Sequence, residues 1–198
     1  MTTPTKGTEI GQIVISENVS LDGVIQDPSG DEGFRLGGWV GRIQDRPAVG
    51  KAVLDEALGA EALLFGRRSY EFFAARWPSR GGLLADRLNS LPKYVVSSTL
   101  EDPDWNNSTV LKGDVVNEVS KLKQELDGEI VVAGSIRLVR TLMERDLVDE
   151  LRLLVYPVVL GMGERLFGES SDNKSLHLVG THAGDGVAFL TYEAVRDA

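Results

Sequence analysis

The sequence predicts a single three-layer α/β/α domain built on a mixed, mainly parallel sheet with an antiparallel hairpin at its C-terminal end. Three observations carry this. Apolar, β-branched runs of strand length alternate with stretches of helical periodicity from Ile10 to Glu144, the pattern of βαβ units. Beyond Glu144 the alternation stops, and two strand-like runs flank Ala183-Gly184-Asp185-Gly186, a hairpin signal. The chain has 198 residues, 42% hydrophobic and 26% charged, which suits one ordinary domain with a sizeable core.

The elements follow in order. Residues 10–16 (IGQIVIS) are short, β-branched and apolar, and read as a buried strand. Residues 18–46 are rich in Gly, Asp and Pro and form a long loop, a class of segment that usually carries function when ordered. A helix begins at Pro47, whose fixed φ suits a first turn. Residues 62–66 form a strand ending on Gly66; residues 68–76 form a helix stopped by Pro78, and residues 82–88 a second helical segment. Residues 93–97 and 109–111 are strands. Residues 115–126 form a helix in which Val115, Val116, Val119 and Leu122 recur at helical spacing. The next unit is the clearest: a strand at 129–133, a turn at Gly134-Ser135, and a helix at 136–144 with Leu138, Val139 and Leu142 on one side. Residues 149–159 read as a long strand, and 174–181 and 187–194 as the hairpin arms. No internal repeat or linker divides residues 10–198, and residues 1–9 are polar and read as a flexible tail.

Charge and composition exclude several kinds of function. Twenty-one Lys plus Arg stand against thirty Asp plus Glu, a net charge of −9, which repels phosphate backbones; no nucleic-acid partner is expected. The absence of cysteine removes disulfides, thiolate metal sites and Cys nucleophiles. His177 and His182 are the only histidines, with no carboxylate cluster beside them, so no metal site is expected and both read as structural. With no apolar leader and no run long enough to span a bilayer, a cytoplasmic protein without membrane partners is expected.

Three strand ends carry residues suited to an anionic ligand, which in open α/β sheets binds beyond the carboxyl ends of strands. In Gly66-Arg67-Arg68-Ser69, the glycine permits a tight turn, the arginines offer fixed positive charge, and Ser69 can cap a helix. The same residues also read as a plain capped helix with solvated arginines. Ser97, Ser98 and Thr99 place three hydroxyls after a buried strand, for a phosphate or ribose or simply to satisfy a turn. Gly134 permits close approach of a pyrophosphate, with the N–H groups of Ser135 and Ile136 directed at it. The full G-x-G-x-x-G pattern of a Rossmann site is missing.

These segments, together with Ser69-Tyr70-Glu71 and Ser135-Ile136-Arg137, resemble in order and spacing the cofactor-binding segments of dihydrofolate reductases. Val19-Ser20-Leu21-Asp22-Gly23, residues 147–152 and Pro157-Val-Val-Leu-Gly161 resemble more closely the reductase domain at the C-terminus of bacterial bifunctional riboflavin-pathway deaminase-reductases, with similarity from about residue 11 to residue 192. The resemblance implies a dihydrofolate reductase-like fold and NADPH as cofactor. It implies that Arg67, Arg68 and Ser69 hold the adenosine-side phosphates. Ser98, in a hydroxyl stretch with Ser97 and Thr99, reads the 2′-phosphate with Arg67 and Arg137. Gly134, Ser135 and Ile136 cradle the pyrophosphate. Nicotinamide sits beside the loop that includes Asp22 and Gly23, and Phe73 and Trp77 face the substrate. The sequence departs from the pattern at Ser98, where the riboflavin-type domains commonly carry Arg, and at Ala133, where they tend to carry Glu. The carboxylate that dihydrofolate reductases place on the helix after the long loop has no clear counterpart; Asp45 and Asp55 are the available groups.

Asp22 is the one carboxylate inside a motif next to the implied nicotinamide position and is the candidate catalytic group, either orienting substrate or relaying a proton. It also reads as an Asp-Gly turn residue. Trp39, in the long loop, is expected to cover the substrate as a lid. Glu101, Asp102 and Asp104 read as a solvated loop. The function expected is NADPH-dependent reduction of a C=N or C=O bond in a small heterocycle, as in 5-amino-6-(5-phosphoribosylamino)uracil reduction. Dihydrofolate reduction is the alternative enzyme, and a non-catalytic nucleotide-binding dimer the alternative of another class. A two-fold homodimer is expected through apolar edge surface on the 149–159 strand and the hairpin.

Overall fold

The computed structural model describes residues 10–168 and 173–195. The expected tail at 1–9 lies outside them. Eight strands form one sheet in the order β4-β3-β2-β5-β1-β6-β8-β7. They are β1 (Gln12–Ser20), β2 (Ala60–Gly66), β3 (Lys93–Val96), β4 (Ser108–Leu111), β5 (Glu129–Ala133), β6 (Glu150–Tyr156), β7 (Leu176–Gly184) and β8 (Val187–Ala194). β4 through β6 run parallel in that spatial order, and β6-β8-β7 pair antiparallel, so the mixed sheet with its C-terminal hairpin is as expected. The helices are α1 (Pro47–Gly59), α2 (Arg67–Ala74), α3 (Leu83–Ser90), α4 (Val115–Glu125) and α5 (Ile136–Glu144).

The three layers follow from the period-2 alternation of the central strands. Ile13, Ile15, Leu64, Ile130 and Val132 face one side and pack with Val119 and Leu122 of α4 and Leu138, Val139 and Leu142 of α5. Val14, Leu63, Phe65 and Val131 face the other, against Tyr70 of α2 and Trp105. A third cluster joins Val49 of α1 to Leu154, Tyr156 and Phe189. Among the described residues no helix is long and apolar enough to cross a membrane.

β7 runs Leu176–Gly184 rather than 174–181, and two further boundaries differ from expectation for physical reasons. β1 runs on to Ser20, four residues past the end of its apolar run, because β6 supplies a complete ladder from Val14 to Ser20. β6 ends at Tyr156 and lies between β1 and β8, so it offers no free edge. The edge surface at this end of the sheet belongs to β7, where Leu178 and Val179 are exposed.

Candidate active site

The pairing of β1 with β5 stops at Ser16↔Ala133, while β1 continues beside β6. At Gly134 the β5 chain turns away into α5, and the sheet opens between the two strands. A cavity of about 730 Å³ occupies this opening, within the range of small-molecule sites. Its walls come from the ends of β1 (Ser16, Glu17, Asn18), the Gly66–Ser69 and Gly134–Arg137 turns, and the start of the long loop. Phe72 and Phe73 give it an apolar side.

The two glycine turns meet face to face. The Ser135 N–H donates to Ser69 Oγ at 2.7 Å, and the Gly66 N–H donates to Ser135 Oγ at 3.0 Å. Gly134 has φ +65°, which strains any L side chain, and a Cβ there would stand 3.1 Å from Ser69 Oγ, so a side chain would have to displace that hydroxyl. Two expectations are corrected here. Ser69 is not a cap, since α2 starts at Arg67 with Gly66 as its N-cap; it lies in the first turn and ties α2 to the β5–α5 turn. The Ser135 N–H is spent on that tie, leaving the first-turn N–H groups of α5, from Ile136 on, to offer an anion.

Arg67, Arg68 and Arg137 all line the cavity. Arg67 Nη1 donates to Thr99 Oγ1 at 2.6 Å and its Nε to Glu71 at 2.7 Å, which brings the first two strand-end motifs together. Arg68 reaches Glu32 at 3.2 Å. Ser98 is exposed beside this cluster. Ser97 follows its turn reading: it is buried, and its Oγ accepts the N–H groups of Thr99 and Leu100.

Other candidates stand elsewhere. Gly23, with φ +83°, accepts the Leu166 N–H at its carbonyl and forms a turn outside the cavity wall. Asp22 accepts the Leu160 N–H at 3.1 Å, the Gly161 N–H at 2.8 Å and the Ser20 hydroxyl at 2.8 Å. Partial burial raises its carboxyl, but those three hydrogen bonds, with one from its own backbone N–H, outweigh it and hold the group at about 2. An anion so committed clamps two loops together and holds no proton at neutral pH; it does not line the cavity. Trp39 is no lid: at 1% exposure it packs edge-on against Tyr156, and its indole N–H donates to the Gln26 carbonyl at 3.0 Å. Its large apolar body found a satellite core close by. Phe73 lines the cavity, whereas Trp77 packs into the Tyr70–Trp105 cluster under Arg80. Asp45 and Asp55 are exposed on the surface, and α1 contributes nothing to the cavity wall.

Sequence reasoning missed two acidic residues. Asp27, 2% exposed, accepts the N–H groups of Gly30, Glu32 and Phe34 and so shapes the long loop. Glu17, 7% exposed, lines the cavity on β1. Burial pushes its carboxyl up to about 8, against a hydrogen bond from the Gly134 N–H that lowers it, and the nearby Glu56 carboxyl adds to the rise. The available signal was its period-2 spacing with Ile13, Ile15 and Val19, which all face the core.

Comparison with known proteins agrees with this architecture. Residues 12–189 match the RibD C-terminal domain family. The Bacillus subtilis protein YyaP is 27% identical over 194 residues, covering 91% of this chain and 94% of its own. A solved Shewanella sp. PV-4 protein assigned to riboflavin biosynthesis superposes with a TM-score of 0.72 at 21% identity, covering 93% of this chain and 99% of that one. Dihydrofolate reductase from Enterococcus faecalis, solved with NADP(H) and RAB-propyl, superposes at 0.61 with 15% identity, covering 92% and 96%. Both structures share the fold.

Proposed function

The chain belongs to the RibD C-terminal domain family, and on that footing we propose that it is an NADPH-dependent reductase acting on a C=N or C=O bond of a small pteridine- or pyrimidine-like heterocycle. The observation that carries this is the cavity itself: two glycine turns locked to each other beside three arginines, in a chain of net charge −9. The residues present fit a dinucleotide. Gly134 keeps the backbone bare where a phosphate would approach, and the first turn of α5 offers unpaired N–H groups and the positive end of its dipole. Arg67, Arg68 and Arg137 supply positive charge and guanidinium donors suited to phosphate.

NADPH, when bound, supplies the hydride. The chain's own contribution is to bind, orient and exclude water. Arg67 and Thr99, with Ser98 beside them, would hold the adenosine 2′-phosphate; Arg68, Ser69 and the start of α5 would hold the remaining phosphates; Phe72 and Phe73 would flank the substrate with apolar surface.

Calorimetry with NADPH, NADP, NADH and ATP tests the reading. NADPH and NADP are expected to bind more tightly than NADH, and ATP more weakly than NADPH. Binding of none of the four would overturn it. The proposal includes a two-fold homodimer through the exposed β7 edge.

A further inference from the structure

Glu17 is a buried acid whose carboxyl is only partly matched by the described residues. Its Oε1 is inaccessible to solvent and has no hydrogen-bond partner among the described residues, while the carboxyl accepts the Gly134 N–H. A buried polar atom left unmatched is costly unless a ligand completes it. The atom belongs to a side chain of the cavity wall, next to the glycine turn that would receive the phosphates. Resting on the reductase reading, we propose that Glu17 is the acid of this site: the carboxyl O–H that the cavity offers to an acceptor heteroatom of its ligand, and the proton source for a reduction there.

The surroundings favour the neutral acid. Glu56 on α1 repels a charge on Glu17, and its own carboxyl is also pushed up by burial. Asp27 and Glu32 of the long loop and Glu164 line the same cavity and add negative charge. The opposing charges are Arg67 and Arg68 on α2 and Arg137 on α5, all exposed at the wall and suited to an anionic ligand. None of the three makes an ion pair with Glu17. In a reduction, the carbon of the C=N or C=O bond accepts hydride from the reduced dinucleotide. The π electron pair moves to the heteroatom, which takes the Glu17 proton. The carboxylate left behind is reprotonated from water, and the dinucleotide leaves oxidised. Asp22, an anion at neutral pH, cannot serve in this way.

The test needs no substrate. Infrared spectra of the protein labelled with 13C-carboxyl glutamate are expected to show a protonated carboxylic acid at pH 7 that is missing in Glu17→Gln, and NADPH is expected to shift its carbonyl stretch to lower frequency. NADPH affinity of the wild type should fall by roughly tenfold or more between pH 7 and pH 9.5, as a charge appears beside the phosphates. Glu17→Gln, neutral at both, should change by less than about threefold. No protonated glutamate at pH 7 in the wild type, or the same pH dependence in both proteins, would overturn the role given to Glu17, even if the variant folds poorly and only the wild-type spectrum can be read. If the wild type binds no NADPH at pH 7, the reductase reading itself falls, and the role of Glu17 with it.

Discussion

Gly134→Ala isolates the physics of the glycine cradle. Alanine at φ +65° meets the left-handed penalty of roughly 1–2 kcal/mol. Its Cβ would also stand 3.1 Å from Ser69 Oγ, closer than ordinary contact, while Ser69 Cβ is 3.7 Å away and tolerable. Ser69 Oγ must then move, and it is the acceptor for the Ser135 N–H at 2.7 Å. Losing that bond costs about 0.5–1.5 kcal/mol, so the single variant should lose about 2–3 kcal/mol in all. Ser69→Ala removes the same bond and the offending oxygen together, and should cost about 1 kcal/mol. In the double variant the bond is lost only once and the clash is gone, so its cost should fall short of the sum by about 1 kcal/mol. Urea unfolding of the four proteins measures this, read from midpoints at constant slope. Additivity within about 0.5 kcal/mol would refute the reasoning, because Ser69 would then not be the neighbour that the added methyl group displaces.

Arg67→Ala should weaken NADPH binding by about ten- to a hundredfold and leave NADH almost unchanged, the effect lying toward the lower end because the side chain is 48% exposed. Ser98→Arg should tighten NADPH; calorimetry at two salt concentrations checks both, and equal losses for the two nucleotides would place Arg67 elsewhere. Glu17 sets a pH dependence of folding. Its pKa is raised from 4.5 to about 8 on folding, so its contribution to stability is fully present below about pH 4.5 and is lost as pH rises toward 8. Melting temperatures should therefore decline over that window more steeply in the wild type than in Glu17→Gln; identical profiles would contradict it. Trp39→Ala should cost about 3–5 kcal/mol in urea unfolding by emptying a packed site, whereas a lid residue would cost little. Light scattering at micromolar concentration should give the mass of a dimer, and a persistent monomer would count against the β7 edge.

What the sequence determined by itself is whatever its own neighbours decide. β5 and α5 were legible to the residue at 129–133 and 136–144, because their periodicity lies within a few residues and the glycine between them needs a left-handed φ. The hairpin was legible for the same reason: Asp185 and Gly186 both take positive φ in its two-residue turn. The arginine and glycine motifs at the strand ends were legible as a group, since strand ends in such a sheet converge. Tertiary structure decided the rest through partners far away in the chain. Asp22 became a clamp because Leu160 and Gly161, some 138 residues on, point their N–H groups at it. Trp39 became core because Tyr156 and Phe189 left a place for it. Residues 18–20 read as the start of a loop because a polar run follows an apolar strand in the sequence. They are strand because β6 pairs with them, and Glu17 is polar there because β5 stops one residue earlier and opens a cavity at its side.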